Sequence, residues 1–264
     1  MFVPCAGTRR LAVVGFLAIT LRFCIPVAHA DQPPIRVAIY DDAGGGGAGP
    51  SNMERCLPAS EGFVTKRVKG EDIRNGVLAD FDVLIQPGGS GSKQAATLGE
   101  EGRENIRKFV DAGGGYLGVC AGAYLASADY SWSLGLLDAK VVDRAHWARG
   151  TGDVELRVSD KGCKLLGIQN DKVTVYYGQG PLLAPADNAT IPDYEELAVY
   201  ETEIAKKGAP TGVMKGTTAA ARGAFGRGHV FCFSPHPEKT AGLDNFITSA
   251  VRWAAGREAA AAAE

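Results

Sequence analysis

The sequence predicts an α/β fold: a mostly parallel central sheet flanked by helices on both faces, with a strand-rich second half. Three observations carry this. Apolar strand-like runs alternate with helical patterns through the first half. Several of those runs are nearly continuous in hydrophobicity, as expected of strands covered on both sides. The second half carries more strand patterns than helical ones.

Residues 35–40 (IRVAIY) read as a buried strand. A loop over 41–50 follows, and Ser51 is placed to cap a short helix. Residues 63–68 alternate and form a second strand; 81–86 (FDVLIQ) form a third, stopped by Pro87, Gly88 and Gly89. Residues 100–112 are predicted helical, because Ile106, Phe109 and Val110 share one face and the glycines at 113–115 end it. A fourth strand over 116–119 runs straight into Cys120, and good helix formers occupy 121–128. Further strands are predicted over 136–142, 154–158, 172–177, 197–200, 211–215 and 229–233. Leu243, Phe246, Ile247, Ala250, Val251 and Ala254 mark one face of a closing helix. With no internal repeat and no linker, residues 31–258 read as one domain, followed by a frayed alanine-rich tail over 259–264.

The first thirty residues have the layout of a secretory signal peptide: Arg9 and Arg10, an apolar run over 11–21, and small residues Ala28 and Ala30 at the cleavage positions. The run is short for a bilayer span, so no transmembrane segment is expected in the mature chain. Cleavage near Ala30 predicts an exported protein, periplasmic or extracellular. Four cysteines remain after it: Cys56, Cys120, Cys163 and Cys232. Export permits disulfides, and sequence alone leaves the pairing open. The formal charge of the 264-residue chain is −2, which offers no basic excess to track phosphates and excludes nucleic acid as a partner. No CxxC pair or histidine cluster is present, so neither a metal nor another cofactor is expected. Gly44, Gly46 and Gly49 fit a dinucleotide-binding spacing, but in so glycine-dense a run almost any glycine pattern would match; a flexible loop over the pocket is the expected use.

Three segments carry chemistry. Gly118-Val-Cys120-Ala121-Gly122 has the pattern of a nucleophile elbow. A nucleophile on a sharp strand-to-helix turn needs small neighbours, and the helix that follows favours a thiolate. Ser234-Pro-His236-Pro-Glu238 follows a predicted strand. Two prolines would hold it extended, so that His236 and Glu238 point to one side as base and orienting carboxylate. Pro87-Gly88-Gly89 ends the third strand, and its amides, with that of Ala121, are candidate oxyanion donors. All three follow the carboxyl ends of strands, where a parallel sheet gathers its ligands.

With these residues in view, the sequence resembles the class I glutamine amidotransferase-like superfamily, which carries a cysteine elbow and a distant His-x-Glu on a flavodoxin-like sheet. GGGYLGVCAGAY and FSPHPE are most similar to the biotin-protein ligase N-terminal domain family. The resemblance covers residues 35–255. It implies Cys120 as nucleophile, His236 as base, Glu238 as orienter, and Gly88 or Gly89 with Ala121 as oxyanion donors. The segment YYGQGP, with Tyr177 and Gln179, resembles the family's aromatic-glycine-proline stretch. Tyr124 stands where glutamine-using members carry a glutamine, so free glutamine is not the expected substrate. The biotin ligase branch places a ligase domain downstream, and this sequence ends shortly after its closing helix; neither biotin ligation nor amidotransfer by this chain alone is expected.

Two functions follow. The first is a secreted cysteine-dependent hydrolase acting on an amide, such as a γ-glutamyl or peptide-like bond, in a small-molecule or peptide-like substrate. The second is a catalytically inactive small-molecule-binding module on the same fold, with Tyr124, Tyr177 and Gln179 lining its pocket. Trp132, His146 and Trp147 follow the elbow helix in sequence and are candidates to shape specificity.

Overall fold

A computed structural model describes Met1 and residues 32–257. The signal-peptide assignment and the alanine-rich tail lie outside the described residues. The elements, in order, are β1 (Ile35–Tyr40), α1 (Gly49–Cys56), β2 (Phe63–Val68), α2 (Gly70–Arg74), β3 (Val83–Gln86), α3 (Gly91–Asp111), β4 (Gly115–Val119), α4 (Ala121–Ala126), β5 (Ala139–Val142), β6 (Gly152–Val158), α5 (Asp160–Leu166), β7 (Lys172–Tyr177), β8 (Leu182–Pro185), β9 (Glu195–Tyr200), β10 (Thr218–Phe225), β11 (Gly228–Phe233) and α6 (Asp244–Ala254).

The strands form one sheet in the order β2-β1-β3-β4-β11-β10-β9-β6-β7, with β8 pairing β10 and β5. From β2 to β11 every neighbouring pair is parallel; from β11 to β7 every pair is antiparallel. The parallel half is covered on both faces, and its strands alternate between two cores. Val37 and Ile39 pack with Met53 of α1, Leu166 of α5 and Phe246 of α6. Ala38 and Tyr40 pack on the other face with Ile73 of α2, Leu98 and Ile106 of α3 and Leu125 of α4. Each such large apolar side chain, fully removed from water, contributes about 1.5–3 kcal/mol. This double burial is why β1, β3 and β4 lack the in–out alternation of a one-sided sheet, which the edge strand β2 keeps in part.

Several local expectations are corrected. Helix α1 begins at Gly49 with Pro50 in its first turn, so Ser51 lies inside the helix and caps nothing. Helix α3 starts at Gly91, well before the expected residue 100; Gly99, at φ 65° and ψ −176°, breaks it into two segments. Residues 211–215 form turns, with Met214 buried and its sulfur accepting from the Ile204 amide at 3.4 Å, instead of a strand. Strands β8 and β10 and helix α5 were not expected. The glycine run over 44–49 does not lie over the pocket. It pairs with the loop after β3, Gly46 N–H donating to Gly88 O at 2.7 Å and Ser90 N–H to Gly44 O at 2.8 Å. A Cβ at Gly89 would fall 2.1 Å from Gly44 O, so two glycine-rich backbones touch there.

Candidate functional site

The parallel register brings the chemistry to one edge. Strand β11 lies beside β4 with Phe233 opposite Val119, so Ser234 and Cys120 leave the sheet together. Cys120 N–H then donates to Phe233 O at 2.8 Å, tying the elbow to the strand that delivers His236. Cys120 takes φ 52° and ψ −99° between β4 and the six-residue α4, the left-handed turn expected of an elbow. The turn leaves no room for larger neighbours: a Cβ at Gly122 would sit 2.0 Å from Gln86 O, and one at Gly118 2.5 Å from Gly122 O.

Ser234 N–H donates to Ala219 O and His236 N–H to Tyr176 O, each at 2.8 Å. These bonds fix the segment between β10 and β7. The chain is not extended through both prolines as expected; Pro237–Lys239 is a 3-10 turn. His236 and Glu238 meet nonetheless, with Nδ1 2.7 Å from Oε1 and both side chains buried. The second carboxylate oxygen of Glu238 is buried without a hydrogen-bond partner among the described residues. Arg55 braces the turn from outside, donating to Glu238 O at 2.7 Å and to Asp244 Oδ2 at 2.6 Å.

The imidazole is held from two sides. A Cβ at Gly88 would lie 2.6 Å from its Cε1 and 3.6 Å from Cys120 Cβ. A Cβ at Gly178 would lie 2.5 Å from its Nε2. Two glycines therefore leave the space that the ring fills, and that space adjoins the thiol. Cys120 Sγ also contacts Gly178 O at 3.6 Å. Burial alone would lower the His236 pKa, but the adjacent Cys120 and Glu238 side chains, as acceptors for its ring N–H groups, outweigh it and raise the imidazole to about 9.

Burial pushes the Cys56 and Cys232 thiols up to about 12, and burial followed by Asp160 and Asp171 raises that of Cys163. All four are free thiols, so Cys120 is not locked in a disulfide. The amides of Gly88, Gly89 and Ala121 have no acceptor among the described residues and flank the cysteine.

Cys120 opens into a cavity of about 380 Å³, lined also by Gly89, Ser90, Tyr124, Tyr130, Trp132, Arg144, Trp147 and Gln179. Tyr124 and Gln179 thus line the pocket as expected, with Tyr124 Oη 3.4 Å from Gln179 O. Tyr177 does not. Its side chain is fully buried on the inner face of β7, and its hydroxyl donates to Gly180 O at 2.9 Å, shaping the loop and leaving no group for substrate. Tyr130 and Arg144 were missed by the sequence reading. The only signal for them was the density of aromatic and basic residues after the elbow helix. Among the described residues no group of three or more His, Cys, Asp or Glu is placed to hold a metal ion, and no helix is long and apolar enough to cross a membrane.

Comparison with known proteins agrees with the fold. The family model for the N-terminal region of biotin-protein ligase matches residues 78–146, which include the glycine turn, the elbow and the aromatic segment. The pyridoxal 5'-phosphate synthase subunit PdxT of Natronomonas pharaonis is 36% identical over 98 residues. That match takes in 35% of this chain and half the length of that relative. Among solved structures, PurLQS from Thermotoga maritima superposes with a TM-score of 0.59 at 18% identity, covering 83% of this chain and 98% of that one. A ThuA-like protein from Parabacteroides merdae gives 0.56 at 12% identity, covering 88% and 94%.

Proposed function

Because residues 78–146 match the family model for the N-terminal region of biotin-protein ligase, and the elbow cysteine lies beside the imidazole of a buried His–Glu pair, we propose that the chain is a class I glutamine amidotransferase-like protein acting as an exported cysteine-dependent hydrolase of amide bonds. The substrate is a small-molecule or peptide-like amide, with a γ-glutamyl bond as one form. The observation that carries this reading is the packing of the His236 imidazole between Gly88 and Gly178, against Cys120, with Glu238 on its far nitrogen.

In this reading the Cys120 proton passes to His236, and the sulfur adds to the amide carbonyl carbon. The tetrahedral oxyanion accepts hydrogen bonds from the amides of Ala121 and of Gly88 or Gly89. His236, held in orientation by Glu238, gives its proton to the leaving nitrogen as the C–N bond breaks, releasing the amine and leaving a thioester on Cys120. Water then loses a proton to His236 and attacks the thioester; the acid is released and the thiol regenerated. Tyr124 narrows the pocket where glutamine-using relatives carry a smaller amide side chain, which favours substrates other than free glutamine.

The test is mass-spectrometric mapping of the protein after limited iodoacetamide. Selective alkylation of Cys120 over Cys56, Cys163 and Cys232, lost in His236→Ala, is the expected result. Equal labelling of all four would remove the nucleophile assignment and leave the inactive binding module. Export is tested separately: the N-terminal residue of the protein recovered from outside the cytoplasm should be Asp31.

A further inference from the structure

The wall of the pocket facing Cys120 is aromatic, and one of its members is out of place in a finished core. Trp147 is 57% exposed, one of few large apolar side chains so exposed among the described residues, and it lines the same cavity as the sulfur. Its neighbours on that wall are already partnered. Tyr130 and Trp132 stack with ring centroids 4.5 Å apart and planes at 17°. Arg144 lays its guanidinium over Tyr130 at 4.1 Å. Trp132 packs against Gly91 at the start of α3, where a Cβ would come within 3.2 Å of the indole. The Trp147 indole has no stacking partner among the described aromatic pairs.

From this we propose that Trp147 is a specificity-determining residue that stacks on a flat neutral or anionic ring carried by the substrate amide. The proposal rests on the hydrolase reading and names its substrate class. An exposed indole beside a nucleophile gains contact area only when a planar group covers it, because aromatic faces pair through offset stacking. Trp147 could equally attract a cation through its π-face. Arg144 argues against that occupant. It is the one charged residue lining the cavity, and it is positive. A quaternary ammonium group would be repelled, whereas a neutral aromatic ring or one bearing a carboxylate would not. The 380 Å³ volume accommodates a ring together with the scissile amide.

The experiment compares Cys120 alkylation rates of the full chain with three probes: chloroacetamide, N-benzyl chloroacetamide and a chloroacetamide bearing a trimethylammonium-ethyl group. The thioether forms at Cys120 with loss of chloride in each case, so the probes differ only in what reaches the aromatic wall. The benzyl probe is expected to react about tenfold faster than chloroacetamide, the size of one good aromatic contact. The trimethylammonium probe should show no gain. Trp147→Ala should bring the benzyl-to-plain ratio close to one, and Trp147→Phe should restore most of it. Val64→Ala, an exposed apolar change outside the pocket, should leave the ratio unaltered. A ring preference that persists in Trp147→Ala, a larger gain for the cationic probe, or no preference at all would overturn the proposal. Loss of His236-dependent labelling by plain chloroacetamide would instead overturn the hydrolase reading, so the two failures are distinguishable.

Discussion

The Gly178→Ala variant isolates the imidazole's position. Gly178 has no left-handed φ, so alanine there adds a methyl without straining the backbone. That methyl would lie 2.5 Å from His236 Nε2 and 2.6 Å from Cδ2, whereas ordinary contact begins at 3.4 Å. The ring must retreat by roughly 0.9 Å, because repulsion rises steeply inside contact distance. Glu238 holds the opposite nitrogen at 2.7 Å, so the retreat cannot keep both the carboxylate and the thiol in place. The effect has a ceiling. An unassisted cysteine ionises near ~8.5, so about 3% is thiolate at pH 7, and a thiol that has lost its base slows by at most ~30-fold. The expected result is a 10- to 30-fold slower alkylation of Cys120 by iodoacetamide at neutral pH, within that ceiling. The rate is read by mass spectrometry, with the thermal midpoint followed in parallel to confirm folding. An unchanged rate in a folded variant would refute the claim that His236 assists the thiol.

Other variants probe the same architecture. Glu238→Gln keeps a hydrogen-bond partner for Nδ1 but removes a charge that helps raise His236 to about 9. A raised folded pKa stabilises the protein fully below the unfolded value near ~6.5 and loses that contribution as pH climbs through about 9. The stability gap between wild type and Glu238→Gln in urea melts should therefore be widest at acid pH and close in alkali; a gap that widens upward would contradict the assignment. Arg149 is buried and donates to Asp143 Oδ2 at 2.5 Å, so Arg149→Met leaves a largely buried carboxylate with only His146 and should cost about 3 kcal/mol in denaturant unfolding. Tyr200→Phe deletes the buried bond to Ser234 Oγ at 2.6 Å and should lower stability by about 1 kcal/mol, an effect absent when Ser234→Ala is already present.

How much of this was legible depended on what the neighbours did to each segment. Strands β1, β3, β4 and β11 read clearly because burial on both faces leaves them almost wholly apolar, and edge strand β2 read from its alternation. Strand β10 did not, because four of the eight residues of TAAARGAF are alanine and its strand formers Thr218 and Phe225 stand only at the ends; it is a strand because β9 and β11 flank it and its small residues suit a tightly packed place. The first segment of α3 was missed for a related reason: GSKQAATL follows directly on the glycine turn and carries little helical periodicity, yet it packs behind Pro87, with Gln94 donating to Pro87 O at 2.9 Å. The motif residues Cys120, His236 and Glu238 were readable because their chemistry is local in sequence. Trp132 and Trp147 were candidates by position alone, whereas Tyr130 and Arg144 were missed, because they reach the pocket only once the segment after α4 folds back over the elbow.

The backbone at Cys120 bears on the choice between enzyme and inert scaffold. A non-glycine residue held at φ 52° carries strain on the order of 1–3 kcal/mol. Glycine at this position would take the same turn without that strain, and it would spare the protein an oxidisable thiol at the floor of an open cavity. A scaffold that only binds gains nothing from cysteine here, since the buried Cys56 and Cys232 show that the fold can accommodate thiols where they are inert. The strain becomes intelligible if the side chain must project from the elbow toward His236 and the free amides of Gly89 and Ala121, an orientation that an unstrained helical or extended backbone at 120 would not supply.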